Sequence, residues 1–263
     1  MTDAAASIDG NGRAAGQAPH RAVADGTLAV AVSAATPQAL DAYDAFCRTA
    51  LFAPAQSGLW VRHWAATVRP DAIMATASLD GRPLLALALE VERSGPLRIA
   101  RFMGGRHANG NFAAADAARP QALSCDTARL LFDGIAAARP DVDLIALQRL
   151  VPELEGVPSP LAALPGFPSP NLSLAVDLAG GFEAVLARTG GKRKKNRAQM
   201  RKFEAAGGFR RIEATQPCQV EALLEAFFAM KEARFRRMGI ANVFGGEEVR
   251  GFFHALFAAA LAQ

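Results

Sequence analysis

The chain has 263 residues, 51% of them hydrophobic and 21% charged, and a formal net charge of +4. These values are typical of a globular protein with a substantial core. The longest apolar runs, such as Leu84 to Leu89, are much shorter than the roughly 20 residues of a membrane-spanning helix. The three cysteines are far apart and lack metal-ligand spacing, so we expect reduced thiols and no disulfide or metal site. The first residues contain no secretory signal, and the predicted location is cytoplasmic.

The N-terminal region is predicted to be a tail followed by a strand and two helices. Residues 1–26 are rich in Ala, Gly and Asp without periodicity, which is typical of disorder. Thr27 to Ser33 has the composition of a short strand. Thr36, which is followed by a proline, is predicted to cap a first helix, and Ser57 is predicted to cap a second.

Three strands and a polar loop are predicted next. Ala72 to Leu79 and Leu84 to Val91 are joined by Asp-Gly-Arg-Pro, a hairpin signal, and a Ser-Gly-Pro turn then leads into Leu97 to Met103. Strands joined by such short turns are antiparallel. The glycine-rich segment Gly104 to Asn111 follows them as a loop.

Helices and strands alternate in the next part of the chain. The spacing predicts a helix over Ser124 to Ala138, a strand over Asp143 to Leu150, a short helix over Leu161 to Leu164 and a strand over Leu172 to Leu178. The resulting order is β-α-α-β-β-β-α-β-α-β. The predicted fold class is α/β, with a mixed, mostly antiparallel sheet flanked by helices.

The positive charge of the chain is concentrated in one segment. Seven of the eleven residues from Lys192 to Lys202 are Lys or Arg, and without them the net charge would be −3. Met200 and Phe203 lie three residues apart, and Gly207-Gly208 is a stop signal. The segment is therefore predicted to be a basic helix with one apolar face.

After the basic helix the predicted pattern starts again. Phe209 to Ala214 is strand-like, an amphipathic helix follows, and a last helix spans Glu247 to Ala262. This order faintly repeats the start of the chain. We therefore expect a first unit at residues 27–178, a basic connector at residues 179–207 and the start of a second, incomplete unit at residues 208–263.

Four motifs in a fixed order carry a resemblance to a known family. They are S-G-L-W-V-R-H-W at Ser57 to Trp64, R-F-M-G-G-R-H at Arg101 to His107, G-K-R-K-K-N-R-A-Q-M-R at Gly191 to Arg201, and A-R-F-R-R-M-G at Ala233 to Gly239. Together with the element order, they resemble the GNAT-type acetyltransferases linked to cellulose and exopolysaccharide biosynthesis. That family has two GNAT-like units in tandem joined by a long basic helix, a layout similar to that of the Fem-type transferases.

The resemblance implies an enzyme that transfers an acyl group, expected to be acetyl, from CoA to an amine or hydroxyl of an anionic or sugar-containing acceptor. Acetyl-CoA or another acyl-CoA would be the co-substrate, without a metal. In this superfamily the acceptor attacks the thioester directly, helped by a base and a backbone amide. The family's second unit holds the acyl-CoA, whereas no meander is predicted there in this chain. We therefore expect either a truncated sequence or a unit completed by another polypeptide.

One loop is a candidate cofactor site by this resemblance. The GNAT loop [QR]-x-x-G-x-[GA] binds a pyrophosphate through backbone amides at a helix N-terminus, and its glycines permit close approach. Arg101, Gly104 and Gly105 fit this pattern, although Arg106 replaces the last small residue and the next helix starts well downstream. The alternative is an ordinary turn after a strand.

Three residues are candidates for a catalytic acid or base. Glu90 and Glu92 end a predicted strand, where a GNAT-type general base can lie. His107 lies in the glycine-rich loop, and loops carry functional residues more often than helices do. The alternatives are solvent-facing carboxylates and a packed histidine.

The basic helix is a candidate acceptor site. Its cations would bind a nucleotide-sugar or lipid diphosphate or an acidic polysaccharide, and they are Lys192, Arg193, Lys194, Lys195, Arg197 and Arg201. One alternative is a solvated helix face. Another is a non-catalytic module that binds an anionic polymer or nucleic acid through Lys192 to Lys202. Against nucleic acid, the block is short, no aromatic residues alternate with the charges, and the remaining chain is acidic.

Overall fold

The computed structural model describes residues 20–23, 26–169, 177–188 and 193–262. Two compact units make up the chain, one formed by Met1–Phe167 with Pro217–Gln263 and the other by Pro168–Gln216. The sequence-based boundaries lie elsewhere, after residues 178 and 207. The assignment of residues 208–263 to a second GNAT-like unit stays a prediction.

The first unit is built on a mixed sheet of seven strands, with a separate two-stranded hairpin. The sheet strands are β1 (His20–Val23), β2 (Gly26–Ser33), β3 (Asp71–Leu79), β4 (Arg82–Ser94), β5 (Leu97–Phe102), β6 (Ala114–Ala115) and β7 (Leu144–Ile145), and the hairpin strands are β8 (Glu153–Leu154) and β9 (Val157–Pro158). The order across the sheet is β1-β2-β3-β4-β5-β7, and β6 pairs with β4. Every pair is antiparallel except β5 with β7, which is parallel.

Seven α-helices lie in the described residues. The first unit contains α1 (Pro37–Cys47), α2 (Gly58–Thr67), α3 (Cys125–Ala138), α6 (Pro217–Met238) and α7 (Glu247–Leu261), and the second contains α4 (Gly181–Arg188) and α5 (Arg193–Ala205). None of these described helices has both the length and the apolar character that crossing a membrane requires. The predicted α/β class with a mostly antiparallel sheet is confirmed, and the arrangement is consistent with a GNAT-like fold.

Two helix starts follow the predicted capping pattern. The side-chain oxygen of Thr36 accepts a hydrogen bond from the Ala39 amide at the start of α1. Ser57 accepts one in the same way from the Trp60 amide at the start of α2. Each cap satisfies one of the amides that the first helical turn leaves without a partner. Both predictions are confirmed.

Strand β4 lies between two layers of the core and presents leucines to one layer and alanines to the other. Leu85, Leu87 and Leu89 pack into the cluster that contains α3, whereas Ala86 and Ala88 face the cluster of α1, α2 and α7. Since side chains alternate along a strand, the next member of the alanine face is residue 90. That residue is a glutamate, and it carries the candidate site described below.

A buried glutamine closes a gap beside β4. Ala88 lies between the segments of β4 that pair with β6 and with β5. The fully buried Gln56 side chain accepts a hydrogen bond from the Ala88 amide and donates one to the Ala88 carbonyl, which also accepts one from the Met103 amide. The backbone carbonyl of Gln56 accepts a hydrogen bond from the Tyr43 hydroxyl. The Gln56 side chain therefore supplies the acceptor that no strand offers to the Ala88 amide.

Several predicted elements are wrong. His20–Val23 pairs with β2 rather than belonging to a disordered tail, since β2 offers it an edge to pair with. The strand expected over Asp143 to Leu150 is only the two residues of β7, and residues 161–164 form turns instead of a helix. Phe209 to Ala214 forms no strand, because the described part of the second unit contains no strand to pair with it. Leu172 to Val176 and residues 1–19 lie outside the described residues.

Candidate functional site

A carboxylate is held inside the first unit by an indole. Glu90 lies near the end of β4 with only 9% of its surface exposed. Its Oε2 atom accepts a hydrogen bond of 2.6 Å from the Nε1–H group of Trp64 on α2. The two residues thus connect the sheet to the helix layer, and the bond fixes the direction of the carboxylate.

Burial changes the acidity of this carboxyl group. The pKa of Glu90 is raised to about 7, chiefly because burial removes the carboxyl group from water, and the nearby Glu92 charge also acts to raise it. The hydrogen bond from Trp64 and the backbone amides of Gly104 and Gly105 act in the opposite direction, because they stabilise the charged form. A carboxyl group with this pKa exchanges protons near neutral pH.

The two glycines of the candidate cofactor loop approach this carboxylate closely. A Cβ atom on Gly105 would lie 2.9 Å from Oε1 of Glu90, and one on Gly104 would lie 2.8 Å from Nε1 of Trp60. Both glycines have positive φ, which other residues seldom adopt. The structure therefore brings Glu90, Gly104 and Gly105 together, with the loop amides facing the carboxylate.

A polar pocket of about 440 Å³ opens beside this loop. It lies at the carboxyl ends of the parallel strands β5 and β7, where side chains of the chain after β7 face the loop after β5. Its charged and polar lining residues are Glu92, Arg101, Arg106, Asn111, Gln148 and Arg149. Gly105 also lines the pocket, so it lies between the pocket and the Glu90 carboxylate.

Three of the lining residues hold the pocket together. Arg149 donates hydrogen bonds to the carbonyl groups of Arg106 and Ala108, which ties the chain after β7 to the loop. Arg101 forms an ion pair with Glu92. Arg106 is exposed and takes part in no ion pair among the described residues. It is the cation of this pocket that a ligand would meet without breaking an existing contact.

His107 lies in an aromatic cluster rather than in the pocket. Its ring centroid is 4.9 Å from that of Phe244, 5.5 Å from Phe253 and 5.9 Å from Trp64. Burial lowers the pKa of His107, and the backbone of Val243 offsets part of this effect through a hydrogen bond. The ring connects the glycine loop to the segment between α6 and α7, so His107 occupies the position of a packed histidine, which was the alternative to a catalytic role.

The candidate acceptor residues lie in the second unit. Lys194, Lys195, Arg197 and Arg201 are exposed on α5, and none of them forms an ion pair among the described residues. Lys192 lies outside the described residues, as does the side chain of Arg193. In the described part of α5, these four cations are therefore available to bind an anion.

Sequence reasoning missed the residue that orients the carboxylate. In the sequence, Trp64 appeared only as the last residue of the Ser57 to Trp64 motif, and its spacing of 26 residues from Glu90 gives no sign that the two side chains meet. The one available signal was the period of two in β4, which places residue 90 on the face of Ala86 and Ala88. In the described parts of the chain, no group of three His, Cys, Asp or Glu residues could hold a metal ion.

Comparison with known proteins gives one match. Residues 190–263 match the family model described as "Acetyltransferase (GNAT) domain". This range begins just before α5 and includes α6 and α7. No curated protein and no solved structure shows a significant match to the chain. The C-terminal quarter is thus similar in sequence to a GNAT-type acetyltransferase domain.

Proposed function

We propose that the protein is an acyltransferase that uses acetyl-CoA or another acyl-CoA. The observation that carries this proposal is the match of residues 190–263 to the GNAT domain. The mixed sheet of the first unit, with its single parallel pair β5 and β7, supports it. A role in exopolysaccharide biosynthesis belongs to the same proposal and rests on the four sequence motifs. A cytoplasmic location also belongs to it and is supported by the three free cysteines.

The polar pocket is the proposed site for the diphosphate of the acyl-CoA. Arg106 contributes an exposed, unpaired guanidinium, and Arg101 and Arg149 add positive charge around the same space. Guanidinium groups bind phosphate oxygens in a fixed planar geometry. The amides of Gly104 and Gly105 face Glu90, so the arginines are the groups better placed for the phosphates.

Glu90 is the proposed general base. A pKa of about 7 leaves much of this carboxyl group deprotonated near neutral pH, while its proton affinity stays high enough to accept a proton from an acceptor group. The amine or hydroxyl of the acceptor would attack the thioester carbonyl as Glu90 takes its proton. The new acyl bond forms as the C–S bond breaks, and CoA leaves as a thiolate that then gains a proton.

The acceptor is proposed to be anionic or sugar-containing. The exposed cations Lys194, Lys195, Arg197 and Arg201 support binding of its negative charge, and Lys192 and Arg193 continue the same run in the sequence. His107 and Glu92 are weaker candidates for direct chemistry. His107 is enclosed by aromatic rings, and Glu92 is paired with Arg101.

Titration calorimetry with acetyl-CoA tests this proposal. We expect saturable binding to the native chain and about tenfold weaker binding to Arg106→Gln, since a charge-assisted contact to phosphate is lost. Arg82→Gln is the matched control. Arg82 is also exposed, but it lies at the start of β4, whereas the pocket-lining Glu92 lies near the end of that strand. The affinity of Arg82→Gln for acetyl-CoA should equal that of the native chain.

A second candidate function is a non-catalytic module that binds an anionic polymer. The cations Lys194, Lys195, Arg197 and Arg201 favour it, because they form no ion pair within the described part of the chain and a polyanion alone would satisfy them. Absence of heat with acetyl-CoA, together with salt-sensitive binding to an acidic polysaccharide or single-stranded DNA, would support this function and exclude acyl transfer.

A further inference from the structure

The basic helix carries an apolar edge that an anionic acceptor does not require. In α5, Met200 is 41% exposed and Phe203 is 53% exposed. Two glycines with positive φ end the helix, and the amide of Gly208 donates to the carbonyl of Phe203. This reversal places the ring of Phe209, itself 63% exposed, 5.7 Å from the ring of Phe203.

Cations flank this edge on both sides. At about 100° per residue, Met200 and Phe203 share one side of the helix, and Arg197 and Lys195 lie next to them in opposite directions. Within the described residues, these two cations and Lys194, Arg201 and Lys202 form no ion pair, and Glu204 is the one acidic residue of α5. Asp177 and Glu213 of the same unit are paired with neighbouring arginines. The exposed surface is thus strongly positive with a compact apolar strip.

A surface that combines these two properties fits one class of partner. A soluble polyanion satisfies the cations but leaves the two phenyl rings in water. The surface of an anionic bilayer accepts both, because lipid phosphates bind Lys and Arg while the rings enter the boundary between headgroups and acyl chains. The charges also exclude burial of this helix in an ordinary apolar core.

We propose that α5 and the turn after it bind the surface of an anionic lipid bilayer, with Phe203 and Phe209 inserted at the interface. The helix lies along the surface and does not cross it. This inference is independent of acyl transfer, since it rests on the second unit alone. A failure of vesicle binding would leave the acetyl-CoA experiment unaffected.

Vesicle co-sedimentation of the full chain tests the proposal. We expect binding to vesicles that contain phosphatidylglycerol and none to pure phosphatidylcholine vesicles. Replacing Lys194, Lys195 and Arg197 by Gln should reduce the affinity by roughly 100-fold at low salt, at about fivefold per cation. The melting temperature should be nearly unchanged, because these side chains are exposed and unpaired.

Replacing the two phenylalanines distinguishes binding to a bilayer from binding to a soluble polyanion. F203S/F209S should bind phosphatidylglycerol vesicles at least about tenfold more weakly, yet bind single-stranded DNA as the native chain does. The control is F257S, which removes an exposed ring in the first unit and should bind vesicles normally. Unchanged vesicle affinity of F203S/F209S, or native binding to DNA without binding to vesicles, would overturn the proposal.

A second measurement does not depend on a loss of binding. Phe203→Trp should show a blue-shifted emission on phosphatidylglycerol vesicles, and brominated lipids should quench it, relative to native protein that contains only Trp60 and Trp64. Emission that stays unshifted and unquenched on bound vesicles would show that residue 203 does not enter the interface, and would contradict the proposal.

Discussion

The Nε1–H group of Trp64 donates a 2.6 Å hydrogen bond to the carboxylate of Glu90, which connects helix α2 to strand β4. The glutamate is otherwise enclosed by the glycine loop and lies opposite Arg101 across the strand pair. A carboxyl group in such surroundings is held in one orientation and prefers its neutral form. Its protonation therefore affects both the stability of the first unit and the proposed chemistry.

Glu90 should make the stability of the protein depend on pH. Its folded-state pKa of about 7 lies above the ordinary value of 4.5, so the folded state binds the proton more tightly. The stabilisation is complete below pH 4.5 and is lost as the pH rises through 7, with a total on the order of 3 kcal/mol. The free energy of unfolding, measured with urea at several values between about pH 5 and about pH 8, should therefore decrease with pH in the native chain. This decrease should be absent in Glu90→Gln.

Glu92→Gln is the matched control for this prediction. The Glu92 side chain is 50% exposed and lies two residues further along the same strand. The slope of stability against pH should become smaller in this variant but persist, because burial is a larger cause of the raised pKa of Glu90 than the Glu92 charge is. Identical slopes in the native chain and in Glu90→Gln would show that the Glu90 carboxyl group does not titrate in this range.

Gly105 should be intolerant of a side chain for a reason beyond its backbone. Gly105 and Gly95 have φ angles of +48° and +61°, so alanine strains both to a similar extent. A Cβ atom at residue 105 meets the Glu90 carboxylate, whereas nothing lies within 4 Å at residue 95. Chemical denaturation should show that Gly105→Ala costs at least about 1 kcal/mol more than Gly95→Ala. Equal costs would mean that the loop moves away from Glu90 easily.

Phe252 should be essential for attaching α7 to α2. Its side chain is completely buried, and its ring lies 4.7 Å from Trp60 and 4.8 Å from Trp64. Phe252→Ala should lower the free energy of unfolding by about 3–5 kcal/mol, because it leaves a cavity between the indoles. Phe257→Ala, on the half-exposed side of the same helix, should cost less than about 1 kcal/mol. Similar small losses in both variants would show that α7 does not pack on α2.

Gln56 should be difficult to replace by an apolar residue of similar size. Gln56→Leu would remove the side-chain oxygen that accepts from the Ala88 amide inside the core, whereas the Ala88 carbonyl would keep the hydrogen bond from the Met103 amide. The expected loss in the free energy of unfolding is about 1–3 kcal/mol. The exposed Gln121 provides the control, since Gln121→Leu removes an amide at the surface and should change stability little. An unchanged free energy of unfolding in Gln56→Leu would mean that water or a shift of the backbone provides a partner for the Ala88 amide.

Local patterns predicted the elements that depend on nearby residues. The caps at Thr36 and Ser57, the three-strand meander and α3 all follow from signals within a few residues. The strand expected over Phe209 to Ala214 failed because a strand exists only when another strand pairs with it. For the same reason, β1 was missed, since its partner β2 and not its own composition makes it a strand.

The residues of the candidate site could be predicted from local sequence, whereas the contacts between them could not. Glu90 and the glycine loop were candidates from their positions, but the chain pattern did not show that they meet. That contact depends on the pairing of β4 with β5 and on the return of the loop towards α2. The pocket arginines come from segments more than 40 residues apart, which no local spacing relates.

The sequence by itself determined the alternation of β4, the glycines after β5 and the concentrated charge of α5, because each depends on residue identity along a short stretch. Tertiary structure alone decided the acidity of Glu90 and the packing of His107. Both depend on exclusion of water, and water is excluded by residues distant in the chain, such as Trp64 and Phe253. For α5 the structure added that Lys194, Lys195, Arg197 and Arg201 form no ion pair with any described residue, and that Phe203 and Phe209 share an exposed edge.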